Sequence, residues 1–296
     1  MTFEQALQYL LSGVTIGSIY AVVAIGFNII YNATGIINFA QGEFVMLGAM
    51  CAVSFAPFMP LPLAIGLAVA VTALVGALLE LVFIRWLQHP SVLRMIVITI
   101  GLSILLREAA LHIWDEKVRA LPYFTGNETS SVSVLGAFVS PQVLWVLGTT
   151  AAIVLALTLF FGHTQTGRAM RACSANRTAA ALCGIDTRQM VTLSFVLSAG
   201  IGALAGCVVC PITLTQYDSG TPLAIKGFTA AILGGLGNST GALLAGLLIG
   251  VLEALSITVL PSAYKDAVSI TVLLVILFAR PTGLLVSRQA GALSGA

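Results

Sequence analysis

The chain has 296 residues, a formal net charge of +2 and a mean hydropathy of +1.04. Only 8% of its residues are charged and 58% are hydrophobic, whereas about a quarter of the residues in a soluble domain are charged. This composition excludes a soluble globular domain, and repeated apolar runs of about 20 residues predict helices that cross a membrane. Transmembrane β-strands are excluded because they are shorter and alternate in hydrophobicity. The sequence therefore predicts an all-α, polytopic membrane protein.

The first predicted span, Leu7 to Ile30, is followed by a polar stretch that lies between two apolar runs. Polar side chains at membrane depth are costly unless they face protein or water. Gly35 and Gly42 let the backbone turn, so this stretch is either a broken or re-entrant helix or a short loop before a polar helix start. The polar side chains concerned are Asn32, Thr34, Asn38, Gln41 and Glu43.

Four more spans are predicted between this stretch and residue 163. They run to Phe58, from Leu63 to Ile84, from Met95 to Ile113 and from Pro141 to Gly162. Arg85, His89 and Arg94 indicate a cytoplasmic loop between the second and third of these spans, because short loops rich in Lys and Arg stay in the cytoplasm. The polar stretch from Asp115 to Ser140 is predicted to lie outside, with a short hairpin.

The segment from His163 to Met190 is the most basic of the long connections between spans. It carries four of the thirteen Lys and Arg residues, Arg168, Arg171, Arg177 and Arg188, and one acid, Asp186. This charge predicts a cytoplasmic loop. Its inner part, Gln165 to Cys183, has the pattern of one or two short amphipathic helices, with Gly184 placed as a helix C-cap. The apolar face consists of small or soft residues: Ala169, Met170, Ala172, Cys173, Ala179, Ala180 and Leu182. Such a helix indicates a cytoplasmic partner.

A second interrupted helix is predicted after the span from Val191 to Ile212. The apolar run from Ala224 to Leu233 is too short to cross a membrane, and the Gly-rich break from Gly234 to Gly241 leads into a further run to Leu260. The pattern Gly235-x-x-Asn238 repeats Gly35-x-x-Asn38, and paired interruptions often mark the central site of a transporter. With a last span from Ala267 to Ala279, the total is about eight membrane segments. The C-terminus is then cytoplasmic and the N-terminus external.

No enzymatic chemistry is indicated by the sequence. There is no G-x-x-x-x-G-K-[ST] motif, the three His residues lack metal-ligand spacing, and no nucleophile–base pair occurs. We therefore expect no catalytic residues, no metal and no cofactor. Glu80, Glu108 and Glu253 lie in or near spans, and Glu253 is the deepest, so it has either a role in transport or a structural one, in a pairing or at an interface.

Several stretches resemble LivH-like permease subunits of branched-chain amino acid ABC transporters. They are ATGIINFAQGEFVMLGAM from Ala33, GRAMRACSANRTAAALCGI from Gly167, the LAG from Leu204, KGFTAAILGGLGNSTGALLAGLLIGVLE from Lys226, and RPTGLL near the end. The resemblance covers nearly the whole chain and implies a single permease domain over residues 1–296. It also implies that ATP is hydrolysed by partner subunits rather than by this chain.

The resemblance implies a bacterial inner-membrane protein that forms the translocation path for branched-chain or similar hydrophobic amino acids. Urea or short amides are the alternative substrates. The alternative from another class of protein is a carrier driven by an ion gradient, with Glu253 or Glu43 as its ion site. The implied partners are a second permease subunit (paralogous or identical), two cytoplasmic ATP-binding subunits, a periplasmic solute-binding protein and membrane lipid, without nucleic acid.

Within the 163–190 loop, Thr178-Ala179-Ala180-x-x-x-Gly184 resembles the E-A-A-x-x-x-G coupling motif of bacterial permeases, with Thr178 where Glu is usual. The resemblance implies an ATPase-coupling set of Gly167, Arg168, Arg171, Ala179, Ala180 and Gly184. For the substrate path, the two interruptions offer amide dipoles and helix ends to a zwitterion, or they only cap helices. The expected substrate-path residues are Gly35, Asn38, Gln41, Glu43, Gly235, Gly237, Asn238 and Glu253.

Overall fold

The computed structural model describes residues 3–86, 92–127, 129–134, 137–258, 261, 264–279 and 283. These residues form eleven helices and one two-stranded hairpin. In chain order they are α1 (Phe3–Thr34), α2 (Gln41–Phe55), α3 (Leu61–Leu79), α4 (Val92–Trp114), β1 (Val132–Val134), β2 (Ala137–Val139), α5 (Pro141–His163), α6 (Gln165–Ala175), α7 (Arg177–Leu182), α8 (Thr187–Thr213), α9 (Gly220–Gly234), α10 (Ser239–Ser256) and α11 (Lys265–Ala279). His89, Arg280 and Arg288 lie outside the described residues.

Within the described part of the chain, six helices are long and apolar enough to cross a membrane. They are α1, α3 with its extension to Ile84, α4, α5, α8 and α10. Two further apolar helices, α2 and α11, are shorter. The all-α, multi-pass architecture is therefore confirmed, and so is the short hairpin, in which Val132 pairs with Val139. The count of eight membrane segments stays a prediction.

Helix α1 lies at the centre of the bundle and packs most closely against α10. The two helices are antiparallel, and glycines on each let the backbones touch. A Cβ on Gly17 would lie 2.8 Å from the Cα of Leu247, and one on Gly246 would lie 2.6 Å from the Cα of Ala21. Small residues promote helix association in membranes in this way, because they let the backbones approach closely.

The first interruption separates α1 from α2, which begins at Gln41 and has 15 residues. A helix of that length is about 22 Å long, less than the ~30 Å of a bilayer core. Gly35 makes the turn possible with a φ of +73°. Because α1 is of full length and α2 begins with polar residues after a short connection, both interpretations fit, and the choice between a broken helix and a short loop before a polar helix start stays a prediction.

The second interruption mirrors the first. Helix α9 also has 15 residues, and Gly235 and Gly237 follow it with positive φ angles. We call the end of the bundle that carries α6 and α7 the basic end, and the end that carries the hairpin the opposite end. Helix α2 runs to the opposite end, where Trp114 Nε1 donates to Ser54 Oγ at 2.6 Å. Helix α9 runs to the basic end, so the two half-length helices point away from each other.

The N-termini of α2 and α9 meet inside the bundle. A Cβ on Gly42 would lie 2.6 Å from the Cβ of Ala224, and Thr221 donates a hydrogen bond to Glu43. Helices α4 and α5 are peripheral. Only 17% and 22% of the residues in their most apolar stretches are buried, against 72% in α1. The half-length helices thus meet between the central and the peripheral helices.

Helix α3 ends in a π-helical turn, Glu80–Ile84. Glu80 is buried there, and its carboxylate accepts a hydrogen bond of 2.6 Å from Thr192 of α8. The side chain therefore does not reach out to the membrane surface. It joins α3 to α8.

Candidate functional site

Glu43 lies in the first turn of α2 and is 1% exposed. Its Oε1 accepts hydrogen bonds from Ser103 of α4 at 2.9 Å and from Thr221 of α9 at 3.2 Å. Its Oε2 is buried against Gly220 and has no hydrogen-bond partner among the described residues. The junction of the half-length helices therefore holds a buried carboxylate with one oxygen unused.

Two helix N-termini stabilise the charge of this carboxylate. Glu43 is the third residue of α2, and Gly220 and Thr221 are the first two of α9. The N-terminus of a helix carries about half a positive charge, so both helix dipoles favour an anion at this point. Burial of the side chain acts most strongly against the charge and Asp218 acts in the same direction, whereas Arg107 and the hydrogen bonds from Ser103 and Thr221 favour it.

Glu43, Ser103 and Thr221 form what we call the Glu43 cluster. Next to it is a cavity of about 300 Å³ between α4, α9 and the α1–α2 connection. Its polar wall consists of Ser103, Arg107 and Thr221. The two hydroxyl groups separate Glu43 from the cavity. The remaining wall is apolar and consists of Phe39, Ile100, Ile104, Ala224, Ile225 and Phe228. The Phe39 and Phe228 rings pack with their centroids 5.4 Å apart.

Gln41 and Asn38 are buried beside Glu43, yet they face other neighbours. Gln41 donates to the carbonyl of Ser198 at 3.3 Å, and the Ser198 hydroxyl lies 2.6 Å from Gln41 Oε1 and 2.8 Å from the Gly26 carbonyl. Asn38 accepts a hydrogen bond from the amide of Ala40, which is a local cap. Gln41 thus joins α2 to α1 and α8, while Gly35 is exposed on the α1–α2 connection.

The second interruption packs on α1 rather than on Glu43. Asn28 accepts from the amide of Gly237 at 3.0 Å and donates to the carbonyl of Asn238 at 3.1 Å, while Asn32 donates to the Gly237 carbonyl at 3.1 Å. Asn238 is also the N-cap of α10 and accepts from Gly241. Gly235, Gly237 and Asn238 are therefore apart from the Glu43 cluster.

Glu253 lies in a third place, where α1, α9, α10 and α11 meet. It forms an ion pair with Lys226, accepts a hydrogen bond from Tyr20 at 2.9 Å and contacts Ser269. Lys226 also lies 5.8 Å from the centre of the Tyr20 ring. Of the two roles that the sequence allows, this geometry supports the structural ion pair.

The basic loop forms two short helices whose ends are all capped. Thr164 accepts from Gly167, Asn176 from Ala179, and Asp186 from Arg188, each at 2.9–3.0 Å. Gly184, with a φ of +84°, closes α7, because its amide donates to Ala181 and the Ile185 amide to Ala180. This pair of bonds is a Schellman motif. The hydrogen bonds at the ends of α6 and α7 are therefore made within the loop itself.

The members of the expected ATPase-coupling set lie on two faces of this loop. Gly167 and Ala180 are buried and attach the loop to the bundle, as do Met170 and Cys173. Arg168, Arg171, Ala179 and Gly184 are exposed. Leu182 is 85% exposed. The exposed face is therefore narrower than the sequence pattern indicates.

Residues 9–277 match the family model described as branched-chain amino acid transport system / permease component. The chain belongs to this family.

Curated relatives agree with that assignment. The permease is 36% identical over 293 residues to the high-affinity branched-chain amino acid transport system permease protein BraD of Pseudomonas aeruginosa, covering 94% of this chain and 95% of BraD. It is 35% identical over 306 residues to the corresponding protein LivH of Escherichia coli, covering 96% of each. A probable LivH of Methanocaldococcus jannaschii is 26% identical, covering 90% of this chain and 88% of that one.

Sequence reasoning about the permease missed the residues that surround the two carboxylates. Ser103, Thr221 and Arg107 have no unusual local pattern, and only the fold brings them to Glu43. Lys226 offers one signal: it is a lysine within an apolar run, and such a charge requires a partner. Glu253, the deepest predicted carboxylate, is that partner.

Proposed function

We propose that this permease is a transmembrane subunit of an ATP-driven importer in the bacterial inner membrane and forms part of the path for branched-chain amino acids. The proposed partners are a second, similar permease subunit, two cytoplasmic ATP-binding subunits and a periplasmic solute-binding protein. The observation that supports it most is the α6–α7 pair, which is capped at every end yet exposes Leu182 and the arginines.

This pair has the properties of a surface on which another protein acts. Its exposed residues combine a small apolar patch, Ala179 and Leu182, with the positive charges of Arg168, Arg171 and Arg177. An apolar anchor supplies contact area, and surrounding charges fix orientation and speed association. A rigid helix pair of this kind suits a groove on an ATP-binding subunit.

A short chain of contacts leads from the loop to the broken helices. Ser174 of α6 donates to Asn32 of α1 at 3.4 Å, and Asn32 holds Gly237 after α9. At its other end α9 contacts Glu43 through Thr221. Movement of α6 by an ATP-binding subunit would therefore shift α9 along its axis. A rigid 15-residue helix would carry that shift to the carboxylate, as alternating access requires.

The geometry favours amino acids over urea and short amides, and it argues against Glu253 as the site of an ion-gradient-driven carrier. The apolar wall of the cavity suits an aliphatic side chain, which urea and short amides lack. Glu253 is paired with Lys226, so it does not resemble the free carboxylate that an ion-gradient-driven carrier uses.

The first test is uptake of labelled leucine into proteoliposomes that contain the complex copurified through this chain, with ATP and loaded binding protein supplied. We expect ATP-dependent uptake that unlabelled valine blocks and that urea and acetamide leave unchanged. Uptake that only urea or acetamide blocks would overturn the substrate. Transport that follows an ion gradient, with no copurifying ATPase, would overturn the importer itself.

The coupling surface is tested by Leu182→Asp, with Phe58→Asp as the matched control. Both side chains are 85% exposed, and Phe58 lies at the opposite end. We expect the first variant alone to lose the ATP-binding subunit on copurification. Equal retention by both variants would remove α7 from the coupling surface.

Native cysteines give a second readout of the same surface. Cys183 is exposed on the C-cap of α7, whereas Cys173 is buried and burial raises the pKa of its thiol, so little reactive thiolate forms near neutral pH. In the isolated chain we expect a maleimide to label Cys183 and to leave Cys173 unlabelled. In the complete complex, Cys183 should be protected.

A further inference from the structure

We propose that the cavity between α4 and α9 is the site at which the permease binds the zwitterionic head and the side chain of the passing amino acid. The inference rests on the proposed function, since it assigns a place in the path to that substrate. Three properties of the cavity wall support it: hydroxyl oxygens backed by a carboxylate, a neighbouring guanidinium, and an apolar surface that matches an aliphatic side chain in size.

The hydroxyl groups of Ser103 and Thr221 are arranged to receive an ammonium group. Each donates its one hydrogen to Glu43, at 2.9 and 3.2 Å, so its lone pairs are the groups left for a ligand. A hydroxyl that donates to a carboxylate is polarised and becomes a stronger acceptor. The second oxygen of Glu43, which has no hydrogen-bond partner in the described structure, lies behind this wall.

Arg107 lies on the same wall and supplies the opposite charge. It is on α4, one turn beyond Ser103, and is partly exposed. A guanidinium binds a carboxylate through two parallel hydrogen bonds, which fixes the orientation of the ligand. An amino acid with its ammonium group at the hydroxyls and its carboxylate at Arg107 therefore carries charges complementary to those of the wall.

The rest of the cavity fits an aliphatic side chain. Ile104 and Ile225 form its sides, and the Phe39–Phe228 pair lies farther along α9, toward the basic end. The volume of about 300 Å³ is at the lower limit of small-molecule pockets, so one small solute fits and a large one does not. A metal ion is a poor alternative, because no cluster of three His, Cys, Asp or Glu occurs in the described part of the chain.

Two variants of the reconstituted importer test the site, with one matched control. Ile104→Trp fills the cavity, and Leu105→Trp places the same side chain on the next residue of α4, outside the cavity wall; the two positions are 48% and 50% exposed. We expect Ile104→Trp to lower leucine uptake at least about tenfold, since overfilled sites exclude their ligand. Leu105→Trp should leave it within about twofold. ATP hydrolysis stimulated by loaded binding protein should persist in both.

Arg107→Gln keeps the inference testable if Ile104→Trp does not fold. We expect a loss of leucine uptake of about tenfold or more, because a charged hydrogen bond to the substrate is removed, with part of the activity restored in Arg107→Lys. Wild-type uptake from all variants with intact ATPase stimulation would overturn the cavity assignment and leave the importer proposal standing. Absence of ATP-dependent uptake in the wild-type protein would instead contradict the proposed function.

Discussion

Two buried carboxylates, Glu43 and Glu253, lie at junctions of this helix bundle and differ in what surrounds them. Glu253 contacts a lysine, a tyrosine hydroxyl and a serine hydroxyl, all in one closed cluster. Glu43 receives two hydroxyl groups on one oxygen and none on the other, and those hydroxyls line a cavity. The sequence alone makes Glu253 the stronger candidate for function, because it lies deepest in a predicted span.

With the proposed roles, depth in a predicted span is a poor guide to the role of an acid. A buried ion pair is costly to form and more costly to break, so its removal is felt as lost stability. Glu43 forms no ion pair in the described part of the chain and is held instead by two hydroxyl groups at the N-termini of two helices. Substitutions at the Glu253 site should therefore lower stability, and substitutions at the Glu43 site should lower transport.

The largest effect is expected for Lys226→Met. It leaves the Glu253 charge buried without its cation, which typically costs about 3–5 kcal/mol of folding free energy. Thermal unfolding of the purified protein in detergent would show a markedly lower midpoint. In the double variant Lys226→Met, Glu253→Met, most of this loss should be regained; a double variant as unstable as the single one would contradict the ion-pair interpretation.

Glu43→Gln should leave stability nearly unchanged and lower transport. The amide keeps the size of the side chain but removes the charge behind Ser103 and Thr221, and hydrogen bonds to charged groups contribute about 1.5–3 kcal/mol. We expect leucine uptake to fall about tenfold to hundredfold while the unfolding midpoint stays close to that of the wild type. A large drop in the midpoint with normal specific uptake would make Glu43 a structural group like Glu253.

A smaller effect is expected for Thr221→Val, which removes one hydrogen bond to Glu43 without changing the shape of α9. A loss of about 1–2 kcal/mol of substrate interaction corresponds to uptake lowered about fivefold to thirtyfold. Thr229→Val is the control on the same helix, because the Thr229 hydroxyl bonds only to the Ile225 carbonyl one turn before it. Equal uptake by the two variants would speak against a role for the Thr221 hydroxyl.

The smallest effect is expected for Ser269→Ala. Glu253 keeps Lys226 and Tyr20 when this hydroxyl is lost, so the cost should be about 0.5–1.5 kcal/mol, visible as a small shift of the unfolding midpoint. A loss as large as that of Lys226→Met would mean that the cluster depends on all its members equally.

The long helices and both interruptions could be predicted from the sequence, because apolar runs and Gly/Asn breaks are local signals. Helix ends at Thr34, Gln41 and Gly234 agree with those breaks. The partners of the polar residues could not be predicted. Gln41 contacts Ser198 and Glu43 contacts Thr221 across more than 150 positions of sequence, and no local pattern carries such a pairing.

In the basic loop, too, only part of the structure could be predicted from the sequence. Its helices and the cap at Gly184 follow from composition and residue type. Which residues face the bundle does not, since Ala179 and Ala180 are adjacent and alike, yet only Ala180 is buried. The role of the exposed face in coupling stays a prediction.

The backbone contact between α1 and α10 has a mechanical consequence. Where Gly17 meets Leu247 and Gly246 meets Ala21, no side chain separates the helices, so there is nothing to rearrange between them. Helices α2 and α8 meet in the same way at Gly48 and Ala203. We expect each pair to travel as one piece during transport. The interfaces that can slide are then those filled by side chains, and the peripheral helix α4 at the cavity is foremost among them.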